Sequence, residues 1–260
     1  MTPLVATALY GWMERAKRDG RPWDWESLFT ACAETGVDGV ETDPTPEKLA
    51  ILQRLDLRVS AAYVGLPLYL PFEQLDLDTH LVPVAARLAD AGGRDLVLNV
   101  DQADWGNPVP RTPEHARRAG ENLSRIAELV APLGLRIALH NHANDPETAR
   151  LDLAAVVEHA DPAVGLCIDT GWALVAGHDP VDWVRAHRDR VHALHLRNQR
   201  GRTPTEDLLD GDLDVPGLLA ALGDFDGWLT LELWHPEPLQ PERSMADDVR
   251  RSAEYLRALS

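Results

Sequence analysis

Cysteine, lysine and net positive charge are all scarce in this 260-residue chain. Its two cysteines, Cys32 and Cys167, lie inside apolar segments, which argues against a disulfide framework and fits buried thiols in a reducing compartment. Lys17 and Lys48 are the only lysines. Lys17 falls in a polar stretch after the first apolar run and Lys48 in a helix-like segment, so neither stands at a strand end, where an imine-forming lysine is expected. The formal net charge of −17 argues against a nucleic-acid partner, because affinity for a polyanion rests on basic side chains that neutralise phosphates. One basic loop cluster, Arg197, Arg200 and Arg202, reads either as a holder for a phosphate group or as a solvated rim. No apolar run approaches the roughly 20 residues of a membrane span. The N-terminal MTPLVATALYGWMERAK has no basic lead and no small-residue cleavage site. A cytoplasmic protein, without membrane or nucleic acid as partner, is the expectation.

A glycine-rich phosphate turn after the first apolar run is also missing, since ALYGWMERAK offers none. This disfavours a doubly wound open sheet. What the chain does contain is an alternation of eight short apolar runs with amphipathic helical stretches, the pattern of a parallel sheet with crossover helices. The runs fall at Leu4–Leu9, Gly39–Thr42, Arg58–Val64, Asp95–Val100, Leu135–Asn141, Val164–Asp169, Val191–Arg197 and Trp228–Leu233. Eight strands close a barrel, and about 250 residues is its usual size, so the expected architecture is a single (β/α)8 TIM barrel over residues 1–260. Helix starts are marked by Thr45-Pro46, Thr112-Pro113, Asp179-Pro180 and Val215-Pro216, with Asp24, Asp78 and Asp214 as further caps. Gly36 and Gly134 mark helix ends.

Four of these runs end on a residue able to bind a metal: His140 in LRIALHNH, Asp169 in VGLCIDTG, His195 in VHALHL and Glu232 in WLTLEL. In a parallel barrel the C-terminal strand ends converge on one rim, so ligands far apart in sequence become neighbours. Any one of them alone reads as a solvated or helix-capping residue; four in consecutive units read as a divalent-metal site. Mixed imidazole and carboxylate donors suit manganese, zinc, cobalt or iron, whereas magnesium and calcium prefer oxygen. His142 shares a strand face with His140, so either is the ligand and the other is free to meet substrate. Asp145 and Glu147 follow in the same loop, as inward-reaching groups or as surface acids. Glu41 and Asn99 also end strands and are candidates for binding hydroxyls. Arg197, on the His195 face, either steadies an anionic oxygen or pairs with an acid. Trp12, Trp105, Trp172 and Trp234 follow strand ends, where an aromatic face can pack on a sugar ring; Trp23, Trp25 and Trp183 lie near helix starts and read as packing residues.

The stretches ALHNHANDPE, CIDTGWALVAGHDPVDWV, RVHALHLRN, LLDGDLDVPGLLAAL and GWLTLELWHPE resemble the sugar isomerase/epimerase group of the xylose isomerase-like barrels. The resemblance is strongest from Leu135 to Glu237, and GVDGVETD is similar to the family's second strand. It implies one divalent metal held by His140, Asp169, His195 and Glu232. It also implies a small sugar, sugar phosphate or polyol as substrate. Many relatives carry glutamate at the first ligand position, paired with the last glutamate for proton transfer at a carbon next to a carbonyl. Histidine there brings this chain nearer to relatives with a histidine-rich fifth strand, including inosose dehydratase-like proteins. Trp172 stands where several epimerases have histidine. The chemistry implied is removal of a proton beside a polarised carbonyl, giving an enediolate, with Glu232, His142 or Glu147 as the base. Proton return then isomerises or epimerises, and loss of a β-hydroxyl dehydrates. The competing expectations are an inosose dehydratase-type lyase and a catalytically degenerate sugar-binding barrel. An apurinic-endonuclease relative would need more ligands and a basic groove. Barrels of this kind often pair, so a homo-oligomer is compatible with the sequence.

Overall fold

The structure is a computed structural model that describes residues 3–259. Eight parallel strands form a closed barrel: β1 (Leu4–Ala8), β2 (Gly39–Glu41), β3 (Arg58–Leu66), β4 (Asp95–Val100), β5 (Arg136–His140), β6 (Gly165–Asp169), β7 (Val191–Leu196) and β8 (Trp228–Leu231). Neighbours around the barrel are consecutive in sequence, and β8 closes it by pairing with β1 from Leu4↔Trp228 to Thr7↔Leu231. Every apolar run of the sequence is therefore a strand, shifted at its ends by at most a few residues. Two two-residue strands, Gln199–Arg200 and Thr203–Pro204, form an antiparallel hairpin beyond β7 that no sequence pattern announces. Among the described residues, no helix is long and apolar enough to cross a membrane.

Local signals account for most helix starts. Asp24 accepts the amide of Ser27 and Asp214 that of Gly217, while Pro46, Pro113 and Pro180 occupy first-turn positions that need no amide donor. Asp78 is not a cap. It lies inside the short helix Leu77–His80, whose N-cap is Asp76 in a left-handed conformation at φ 44°. Gly36 and Gly134 end their helices at φ 79° and 75°, conformations that glycine adopts without strain.

The strands bury both faces. Their outward residues join the helices in one large core, whereas Ala61, Val97, Ala138, Cys167 and Ala193 form a separate cluster. Strand alternation places these five on the inward face, because each lies two residues before another inward position: Tyr63, Asn99, His140, Asp169 and His195. Small side chains thus fill the barrel beneath its polar rim. Both cysteines are free and buried, and burial raises the Cys167 thiol to about 11, which keeps it protonated and unreactive.

Helices Pro113–Val130 and Pro146–Val157 cross at Gly120, where a Cβ would lie 2.3 Å from the Ala155 carbonyl oxygen and 2.6 Å from His159 Cβ. Alanine at an ordinary helix position gains about 1 kcal/mol over glycine, but overpacking costs roughly 1–3 kcal/mol, and here the obstacle is backbone. Gly120→Ala is expected to destabilise the fold by about 1–2 kcal/mol, read as a lower denaturant midpoint at unchanged slope.

Candidate functional site

The register of β6, β7 and β8 assembles the rim. Asp169 pairs with His195 across β6 and β7, and His195 with Thr230 across β7 and β8, so Glu232 stands just beyond the end of β8. Together with His140 at the end of β5, these residues bring one ligand-type atom each within 4.8 Å of one another. His195 Nδ1 lies 3.1 Å from Glu232 Oε2, and His140 Nε2 lies 3.6 Å from Asp169 Oδ2 and 3.9 Å from Glu232 Oε2.

Asp169 divides its two oxygens between structure and site. Oδ1 accepts the Trp172 amide, capping the helix Thr170–Val175, and the Arg197 Nε–H at 3.2 Å. Oδ2 has no hydrogen-bond partner, although the residue is fully buried. Burial alone would raise this carboxyl, but the Arg197 guanidinium and then the neighbouring His140 imidazole hold it well below the usual range. The Asn141 side chain ties β5 to β6, donating to the Asp169 carbonyl and accepting the Asp169 amide. Gly171 makes room for Arg197, since a Cβ there would sit 2.1 Å from Nε.

Opposite Asp169, His195 Nε2 is 2.8 Å from Glu41 Oε2. A carboxylate on the far nitrogen fixes the ring and its tautomer, as outer partners of metal-bound histidines commonly do. Burial opposes charge on His195, but Cys167, Glu41 and Glu232 outweigh it and raise the imidazole well above its ordinary value. Burial lowers both His140 and His142, leaving them neutral near pH 7.

His140 Nδ1 and Nε2, Asp169 Oδ2, His195 Nδ1 and Glu232 Oε2 are buried without a hydrogen-bond partner. An orphaned buried polar atom costs about 1–3 kcal/mol, and a cluster of them on four residues of metal-ligand type fits a divalent cation, which would engage one atom from each. The donor set of two imidazoles and two carboxylates is the one manganese, zinc, cobalt or iron accepts.

The cluster borders a cavity of about 430 Å³, the size of a small-molecule site. His140, His142, Glu41, Glu232, Arg197, Trp172 and Trp234 line it. The His142 ring meets Trp172 edge-on at 4.4 Å, and the Arg197 guanidinium lies over the same Trp172 ring at 4.7 Å from its centroid. His142 is open to the cavity. Four candidates from the sequence lie elsewhere. Trp12 is buried, with its indole N–H on Thr7 Oγ1. Asn99 is buried against Asp101. Trp105 is 68% exposed. Glu147 stands exposed in the first turn of Pro146–Val157, paired with Arg150, while Asp145 caps that helix. Arg200 pairs with Asp210, and Arg202 donates to main-chain carbonyls, so the loop arginines do not gather into a phosphate holder. Besides Ala8 and Leu9, six further lining residues have no sequence assignment to substrate: Tyr10, Met13, Trp25, Thr42, Lys48 and Tyr63. Tyr63 packs edge-on against His140 at 5.6 Å and was findable by alternation from Ala61; Trp25 and Lys48 reach the cavity from helices, where strand periodicity gives no signal.

Fold and rim together define a (β/α)8 barrel with a metal-capable cluster at its C-terminal face. The family model of the xylose isomerase-like TIM barrel matches residues 29–259, and the chain belongs to that family. Relatives include an inosose dehydratase of Geobacillus kaustophilus, 30% identical over 133 residues that make up 43% of this chain and 43% of that protein. The rhizopine catabolism protein MocC of Rhizobium meliloti is 26% identical over 243 residues, covering 80% of this chain and 74% of that protein. The match thus spans less than half the length of the inosose dehydratase. Among solved structures, a sugar phosphate isomerase/epimerase of Parabacteroides distasonis superposes with a TM-score of 0.76 at 18% identity, over 99% of this chain and 94% of that one.

Removing Arg197 leaves the buried Asp169 carboxylate without its countercharge, a change that typically costs about 3–5 kcal/mol. Arg197→Met, measured in chelator against wild type, is expected to lose about that much stability at pH 7. The sign with pH follows from Asp169. Its depressed value stabilises wild type above the ordinary carboxylate range, and that contribution disappears as pH falls through the folded value. In the variant, burial without Arg197 favours the protonated acid, so the gap between the two proteins should narrow from pH 7 towards pH 4. A gap independent of pH would show that Arg197 acts by packing alone.

Proposed function

We propose that the protein is a divalent-metal-dependent isomerase or epimerase that acts on a ketose, sugar phosphate or related polyol through an enediolate. The observation that carries this reading is the cluster of His140, Asp169, His195 and Glu232, whose unpartnered buried atoms face one another beside a cavity walled by aromatic rings. When bound, a metal there supplies Lewis acidity that stabilises negative charge on a substrate oxygen. The chain's own residues handle protons. Glu232 and His142 both face the cavity; a neutral His142, held against Trp172, can accept or return a proton near pH 7. Glu147, committed to Arg150 at the surface, leaves that role to these two. Trp172 and Trp234 offer apolar faces to a sugar ring, and Glu41 keeps His195 in place.

His140 favours a second reading. It replaces a carboxylate, so Glu232 is joined in the cavity by an imidazole rather than by a second facing glutamate. Such an unlike pair suits removal of a proton by one group and its delivery to a departing β-hydroxyl by the other. That is the reaction of an inosose dehydratase-type lyase, the name carried by one of the relatives.

Elemental analysis of the purified protein tests the first requirement: about one equivalent of manganese, zinc, iron or cobalt in wild type, lost in Asp169→Ala and His195→Ala. Incubation of ketoses and inososes in D2O then separates the chemistries, with deuterium entering recovered sugar for isomerisation or epimerisation and an unsaturated or deoxy product marking elimination. Glu232→Gln should slow turnover by about 10²–10⁴-fold. Retained sugar binding without turnover in wild type would identify a binding barrel instead.

A further inference from the structure

Two cations line the cavity, and their surroundings differ. Arg197 is buried and bound to Asp169. Lys48, in the helix Pro46–Arg54 that follows β2, places Nζ 3.2 Å from Thr42 Oγ1 and 4.1 Å from the centroid of the Trp25 ring. It forms no ion pair among the described residues. The nearest acid in sequence beyond its own helix, Asp43, has both oxygens held by Arg87 at 2.8 Å, and the cavity acids Glu41 and Glu232 face His195. In a chain with 42 acidic and 25 basic residues, a half-buried lysine without a carboxylate is held apart from the partners that its surroundings offer in excess. An ammonium has three donors, of which Thr42 takes one. Beside the Trp25 ring its charge is poorly screened, which strengthens attraction to any anion entering the cavity.

We propose that Lys48 and Thr42 form an anion-recognising subsite of the cavity, which selects substrates bearing a carboxylate or phosphate group over neutral sugars. This rests on the reading of the cavity as a substrate site for sugar-like molecules and adds the charge class of that substrate. The Thr42 hydroxyl accepts from Nζ and fixes its position, and the Trp25 face holds the ammonium from the other side, so the cation is oriented before a ligand arrives.

Because Nζ rests on Trp25, occupation of the subsite should alter tryptophan fluorescence. The metal-loaded wild type, Lys48→Met and Lys48→Arg would each be titrated with inorganic phosphate and, separately, with acetate. Saturable binding of either ion by wild type is expected, weakened about tenfold or more in Lys48→Met, as loss of a charged hydrogen bond implies, and largely kept in Lys48→Arg. Saturation by phosphate alone assigns a phosphoryl group, and by acetate alone a carboxylate. Repeating the titrations in Asp169→Ala separates Lys48 from the metal cluster: binding that persists there, and still depends on Lys48, upholds the subsite even if the metal-dependent reaction proves wrong. The proposal is overturned if neither ion saturates in wild type, or if Lys48→Met binds both as wild type does.

Discussion

Asp169 is the residue on which the site is built, because its two oxygens face different tasks. One is fixed by the Trp172 amide and by Arg197; the other lies buried among His140, His195 and Glu232 without a partner. A carboxylate at zero exposure is tolerated only where neighbouring charge and donors offset its desolvation. Arg197 supplies that charge, Gly171 gives Arg197 its space, and Thr170 fixes the Arg197 main chain by accepting its amide and donating to its carbonyl. The tetrad TGWA after the aspartate is thus both a helix start and the scaffold of a buried ion pair.

Around this pair the barrel's register does the rest. Three of the four clustered residues lie two positions above a small inward side chain, Ala138 below His140, Cys167 below Asp169 and Ala193 below His195. A larger residue in that layer would compete for the space in which the imidazoles and carboxylates meet. Close packing beneath also denies water to the cluster from the barrel interior, so the polar atoms can be satisfied only from one another or from the cavity side. The pairing of His195 with Glu41 crosses the barrel from β7 to β2, which links the two halves of the rim through one ring.

The strands, their order and the clustering of His140, Asp169, His195 and Glu232 were legible in the sequence because a parallel barrel converts sequence order into angular order, and because period-two alternation fixes which residue of each strand points inward. Tyr63 obeyed the same rule and was readable in principle. Trp12 and Glu147 lie away from the cavity for a common reason: a position just after a strand end belongs to a loop or a first helical turn, where local hydrogen bonds decide direction. Trp12 turns to Thr7, and Glu147 to Arg150. Lys48 and Trp25 were invisible for the converse reason. They come from helical segments, which a strand-end rule assigns to the outside, yet the loops after β1 and β2 fold them over the cavity mouth.

The charge balance of the rim connects the fifth strand to the substrate. Asp169 and Glu232 are the two carboxylates of the cluster, Arg197 is the countercharge of Asp169, and the neutral His140 adds a donor without adding charge. A glutamate at position 140 would add one negative charge to the same cluster, beside a Glu41 that already faces His195. Negative excess repels an anionic substrate at the distances that matter in a poorly screened cavity. Histidine at 140 leaves that charge out, and Lys48 places a cation on the β2 side of the cavity. The two features are far apart in sequence and arise on different elements, yet each shifts the cavity in the same direction. A site built this way is suited to accept negative charge that the surface of so acidic a chain would otherwise turn away.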